Sequence, residues 1–174
     1  MKNKTLKILA ISGSLRATSS NTTIIRAIGN MLPANVEYVI YDGLATLPHF
    51  NDIDGSPQTV EDWRKQIAGA DAVLFCTPEY AFGVPGTLKN ALDWTVASGD
   101  LTGKPVALIT AATSGEKAHT ALLNIFTALS VNIPEGAALL IQFVRSKIDG
   151  NGNITDVKTL KAVQNLIASL LASV

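Results

Sequence analysis

At 174 residues the chain is long enough for one well-buried domain, and it leaves no room for a second of ordinary size, so residues 1–174 read as a single unit. Hydrophobic residues at 47% against charged ones at 16% exclude a disordered chain. The 14 basic residues balance 14 acidic ones without any run of like charge, which gives no support to a nucleic-acid or membrane-surface role. A lone cysteine, Cys76, excludes an internal disulfide, and His49 and His119 lie too far apart for ligand spacing, so no metal is expected. Lys2, Lys4 and Lys7 precede an apolar run, Ile8 to Ile11, that is too short for a signal-peptide core and breaks at Ser12-Gly13-Ser14. With no segment of membrane-spanning length, a cytoplasmic protein is expected.

Taken in order, Thr5 to Ile11 reads as a first strand that ends abruptly in a polar loop, Ser12 to Asn21. A helix follows over about Thr22 to Met31, with Asn21 as its N-cap. Val36 to Tyr41 is a second strand, and a long loop carrying Pro48, His49, Asp52, Asp54, Gly55 and Pro57 leads to a helix over about Gln58 to Ala68. The third strand, Ala72 to Cys76, runs into the stretch Thr77 to Trp94, in which Pro85 opens a helix reaching about Ala97. Pro105 to Ala111 is a fourth strand, apolar nearly throughout as a strand covered on both faces should be. A second small polar loop, Ala112 to Lys117, precedes a helix over about Ala118 to Ser130. Ala137 to Phe143 is a fifth strand, Asp149 to Asn153 a turn, and Thr155 to Leu171 a last helix with Thr155 or Asp156 at its start.

Strands alternating with helices in this way require a parallel sheet with right-handed crossovers and helices on both faces. The expected architecture is a flavodoxin-like three-layer α/β sandwich with strand order 2-1-3-4-5. Its switch point falls between the first and third strands, so the loops after those strands should meet at the ligand edge.

Those loops carry the chemistry. The first offers serine and threonine hydroxyls, the guanidinium of Arg16 and backbone amides at a helix start, which together suit a phosphate, although a serine-rich polar turn has the same composition. It is neither a P-loop nor a Gly-x-Gly-x-x-Gly fingerprint. The second supplies Glu79, Tyr80 and Phe82 between prolines, a stiff aromatic loop suited to a planar ring, or else to covering the core at a helix start. The third, Thr113-Ser114-Gly115, could close the far side of such a ring.

Gly13-Ser14-Leu15-Arg16 with Ser19 and Asn21, followed by Pro78-Glu79-Tyr80 and by Pro85-Gly86-x-Leu88-Lys89-Asn90-Ala91-Leu92-Asp93-Trp94, resembles the NADPH-dependent FMN reductase family over nearly the whole chain. The resemblance implies noncovalent FMN, NADPH or NADH as cosubstrate, and a quinone, azo compound, chromate or flavin as the small-molecule electron acceptor. It implies that Ser14, Arg16, Ser19 and Asn21 hold the FMN phosphate. Pro78, Glu79, Tyr80 and Ala81 would line the isoalloxazine, with Ser114 and Gly115 facing its pyrimidine side. Ala81 stands where the family usually has Asn, and Glu116-Lys117 stands in a loop that is commonly richer in glycine. The family also implies a homodimer or homotetramer flanking the flavin. With the chemistry carried by the flavin rather than by a catalytic side chain, ping-pong kinetics at one shared site are expected.

Two rival readings share the fold. One is a flavodoxin-type electron carrier, against which the zero net charge argues because carriers dock through a charged face. The other is a regulatory subunit that has lost the flavin. Outside the loops, Cys76 reads as a core residue, His119 as a solvated surface position, and His49, Asp52 and Asp54 as a polar lid. Lys89 and Asp93 read as an ion pair or subunit contact, and Trp94 as an interface residue.

Overall fold

The computed structural model describes residues 5–51 and 55–174. Its strands are β1 (Leu6–Ser12), β2 (Val36–Tyr41), β3 (Ala72–Thr77), β4 (Val106–Ala111) and β5 (Ala138–Ile141). Its α-helices are α1 (Ser20–Gly29), α2 (Gln58–Ala68), α3 (Gly86–Asp93), α4 (Glu116–Ala128) and α5 (Val157–Leu171). All the strand pairings are parallel, and the order across the sheet is β2-β1-β3-β4-β5, as the alternation of strands and helices requires.

Every residue of β3 and β4 is buried, because the central strands are covered on both faces. Along β3 the side chains alternate: Leu74 and Cys76 pack with α1 and α5, whereas Val73 and Phe75 pack with α2, α3 and α4. On the second face Trp63 of α2 donates from its Nε1 to the Ala91 carbonyl at 2.9 Å, so a buried indole also ties α2 to α3.

The switch point brings two loops into contact. Ser12 pairs with Cys76 in register, and the Gly13 amide donates to the Cys76 carbonyl at 2.8 Å. A Cβ on Gly13 would lie 2.4 Å from Thr77 Oγ1, so only glycine lets the chain leave β1 this close to β3.

Several element ends differ from the sequence reading. Ser19, not Asn21, caps α1, its hydroxyl accepting from the Asn21 amide, and α1 begins at Ser20. The helix α3 stops at Asp93, short of Ala97. The helix α4 starts at Glu116, two residues before the expected Ala118. The strand β5 ends at Ile141, and Phe143, at φ 51°, turns the chain into a short 3-10 turn, Val144–Ser146. The start of α5 agrees with expectation: Asp156 caps it by accepting from the Thr159 amide at 2.8 Å.

After β2 a second 3-10 turn, Gly43–Thr46, leads to a segment laid on α3. The Pro48 carbonyl accepts from Asn90 Nδ2 and Trp94 Nε1, both at 2.9 Å, and Phe50 meets Trp94 edge-on at 5.1 Å. Trp94 is therefore an internal anchor, which replaces its expected role as an interface residue. His49 is exposed in the same segment, while Asp52 and Asp54 lie outside the described residues.

Candidate functional site

At the carboxyl edge of the sheet, the loops after β1, β3 and β4 and the turn after β5 enclose a cavity of about 470 Å³. Its walls include Ser14, Arg16, Ser19 and Asn21 from the first loop, and Pro78, Glu79 and Tyr80 from the second. Ala81, Ser114 and Gly115 are not among the residues that wall it.

The two switch-point loops meet where the Ser14 hydroxyl lies 3.4 Å from the Tyr80 hydroxyl. Ser14 Oγ also accepts from the Arg16 amide at 3.3 Å, which folds the loop back on itself and leaves the Arg16 side chain exposed at the mouth. Ser19, buried, uses its oxygen to cap α1 and keeps its O–H for a ligand. The amides of Ser20 and Thr22, in the first turn of α1, have no acceptor among the described residues. The free Ser20 amide, the Ser14 and Ser19 hydroxyls and the Arg16 guanidinium therefore line one cavity, the donor set that an oxyanion requires.

Asn21 is more constrained than a surface donor. Its Nδ2 donates to the Ala111 carbonyl at 3.1 Å, and its Oδ1 accepts from the Cys76 thiol at 3.2 Å. The side chain thus fastens α1 to β3 and β4, and one Nδ2 hydrogen remains for a ligand. Cys76 is a buried core residue whose thiol pKa is pushed up by burial.

The second loop is a tight reversal. Tyr80 and Gly83 exchange both backbone hydrogen bonds, at 3.0 and 2.9 Å, and the two residues between them, Ala81 and Phe82, have φ of 49° and 58°. Two consecutive left-handed residues make a type I′ geometry, which favours Asn and Gly at positions that here hold Ala and Phe. The turn exposes Phe82 and half-exposes Tyr80 at the rim.

Glu79 joins this loop to the next. Its carboxylate accepts from the amides of Gly115 at 3.2 Å, Lys117 at 3.0 Å and Ala118 at 3.0 Å. The α4 N-cap position is Gly115, at φ 91°, which has no side chain to offer, so Glu79 caps the helix from 36 residues away in sequence. The Ala118 amide first, then those of Gly115 and Lys117 with the Lys117 charge, hold this carboxyl below the usual range. Glu79 thereby fixes the Ser114-Gly115 loop relative to Tyr80, in addition to walling the cavity.

Of the residues set aside in the sequence, His119 is half-buried, not a freely solvated position: its Nδ1 lies 2.9 Å from Thr110 Oγ1, and burial lowers its pKa. Lys89 and Asp93 form an ion pair at 2.6 Å on α3. Among the described residues no group of three or more His, Cys, Asp or Glu could hold a metal, and no helix is long and apolar enough to cross a membrane. The sequence reading names Thr113 in its third loop but passes over Val144 and Arg145, which also wall the cavity. The signal was available in the rule that strand carboxyl ends build the site, but an overextended β5 hid it.

The chain matches the family described as NADPH-dependent FMN reductase over residues 6–145. It is 31% identical to an NAD(P)H-dependent FMN reductase of Pseudomonas aeruginosa, across 95% of this chain and 93% of the relative. It is 33% identical to a quinone reductase of Escherichia coli, across 89% of this chain and 88% of the relative. Among solved structures, FerB, a flavoenzyme NAD(P)H:(acceptor) oxidoreductase from Paracoccus denitrificans, superposes with a TM-score of 0.77 at 26% identity, covering 96% of both chains.

Proposed function

The chain belongs to the NADPH-dependent FMN reductase family, and from that premise we propose that it binds FMN noncovalently in the cavity at the switch point and oxidises NAD(P)H to reduce quinones. The observation that carries this reading is the contact of Ser14 with Tyr80, which closes a phosphate-type donor set and an aromatic wall around one cavity. The residues present fit the cofactor. Arg16, the Ser14 and Ser19 hydroxyls and the free α1 amides suit its phosphate, while buried Pro78 and half-exposed Tyr80 offer apolar surface to its ring.

FMN, when bound, would supply the redox chemistry, hydride acceptance from a nicotinamide and electron donation to an acceptor. The chain's own residues bind and orient. Arg16 neutralises phosphate charge, Ser19 donates its free O–H, and Glu79 holds the third loop in place by capping α4. No side chain is required as nucleophile or base. One open face would serve nicotinamide and acceptor in turn, so double-reciprocal plots against the two substrates should run parallel. Intersecting lines would reject a shared site. Azo compounds, chromate and free flavin are further acceptors within reach of such a face.

We also assign the protein to the cytoplasm, where NAD(P)H is supplied, and to a homodimer or homotetramer. The exposed Phe82, 78% accessible on the turn that follows Tyr80, supports a second copy there. Sedimentation of the purified protein checks this, and a monomer at micromolar concentration would reject it.

The deciding experiment is an absorbance spectrum of the protein with added FMN, followed by anaerobic NADPH. Flavin bands that bleach on NADPH support the reductase. Bands that persist would assign the protein to electron carriers, and failure to retain FMN would refute the cofactor assignment.

A further inference from the structure

Arg145 is one of the residues that wall the cavity, on the turn after β5, and makes no ion pair among the described residues. Its position is fixed by backbone contacts. The Phe143 amide donates to the Thr113 carbonyl at 3.1 Å, and the Val144 amide to the Ala112 carbonyl at 3.2 Å, so the turn is fastened to the loop after β4. Val144 is buried beneath it, and Phe143 is held at φ 51°, a left-handed conformation that costs a bulky residue about 1 kcal/mol or more. Strain maintained by surrounding contacts, at the edge of a binding cavity, is a mark of a positioned side chain.

The charge balance says what it is positioned for. The cations among the walls are Arg16 and Arg145, and the one carboxylate is Glu79, whose oxygens already accept from three amides. A phosphate monoester carries about −1.5 to −2 at pH 7, more than one guanidinium neutralises. We infer that Arg145 is a second guanidinium for the FMN phosphate, closing on it from the β5 side while Arg16 and the α1 amides hold it from the β1 side. The inference rests on the assignment of this cavity to FMN.

The test titrates the flavin-stripped full-length chain with FMN and with riboflavin, which lacks the phosphate, and follows quenching of flavin fluorescence. Wild type, R145Q and R145K are compared. R145Q should weaken FMN binding about tenfold, the effect of one charge-assisted contact, and leave riboflavin binding unchanged. R145K should recover part of the loss, and the salt dependence of FMN binding should be shallower in R145Q than in wild type. Equal losses for FMN and riboflavin would overturn the inference, as would FMN binding in R145Q equal to wild type. A changed preference between NADPH and NADH with FMN affinity intact would also overturn it, giving the guanidinium to the nicotinamide 2′-phosphate instead. A wild-type chain that binds no FMN would overturn the proposed function and this inference together, whereas the other outcomes leave the proposed function standing.

Discussion

Glu79 is placed to be a stabilising cap supplied by a distant loop, and its removal makes a sharp prediction. In Glu79→Ala the amides of Gly115, Lys117 and Ala118 lose their acceptor, and α4 loses an anion at its positive end. Loss of an N-cap costs ~0.5–2 kcal/mol, and because these amides sit near solvent, water recovers part of the loss, so about 1 kcal/mol is expected. For a chain of this length that lowers Tm by about 2–4 °C. Glu79→Gln keeps an acceptor but not the charge and should lose less. The sign with pH follows from the lowered carboxyl pKa. The stabilisation is fully present above the unfolded value of 4.5 and is lost as pH falls through the lower folded value. The difference between wild type and Glu79→Gln, measured by urea unfolding, should hold steady from pH 7 to about 5 and then shrink as the carboxyl is protonated in both states. Amide exchange at Lys117 and Ala118 should accelerate in Glu79→Ala. A wild-type minus Glu79→Gln difference that stays constant down to pH 3, or unchanged exchange at those amides, would refute the capping role.

Gly13→Ala places a methyl 2.4 Å from Thr77 Oγ1 and 3.0 Å from Leu88 Cδ2, both in buried residues, so urea unfolding should show a loss of about 1–3 kcal/mol; a loss under about 0.5 kcal/mol would mean the loops separate without strain. Ala81→Asn relieves a left-handed alanine without adding unfolded-state freedom as glycine would, and should stabilise by about 0.5–1 kcal/mol; an unchanged denaturation midpoint would count against the strain. The Cys76 thiol, buried and with its pKa raised, should react with a thiol reagent only as fast as the protein opens; rapid labelling of the native protein would contradict the packing described.

What could be read from the sequence was what local pattern determines. Apolar runs such as Val106 to Ala111 must be covered on both faces, and alternation with helices then dictates the parallel order and the position of the switch point. Gly13 with Ser14, and Pro78 with Tyr80, could be placed at one edge because each lies directly after a strand. The remainder depended on partners far away in the chain. Both Ser19 and Asn21 satisfy the N-cap rule, and what decides between them is that Asn21 is needed in the core, bonded to Cys76 and Ala111 across separations of 55 and 90 residues. Rules of capping that look within four residues cannot find Glu79 acting on α4, which is why the sequence pattern starts the helix at Ala118 rather than at Glu116. Arg145 is hidden for the converse reason: Gln142-Phe143-Val144 continues a strand pattern in composition, and only the left-handed backbone at Phe143, held by bonds to Ala112 and Thr113, turns Val144 and Arg145 into the cavity wall. The site is therefore local in its first two loops and nonlocal in the contacts that close it, and substitutions at Glu79 and Arg145 probe that second part.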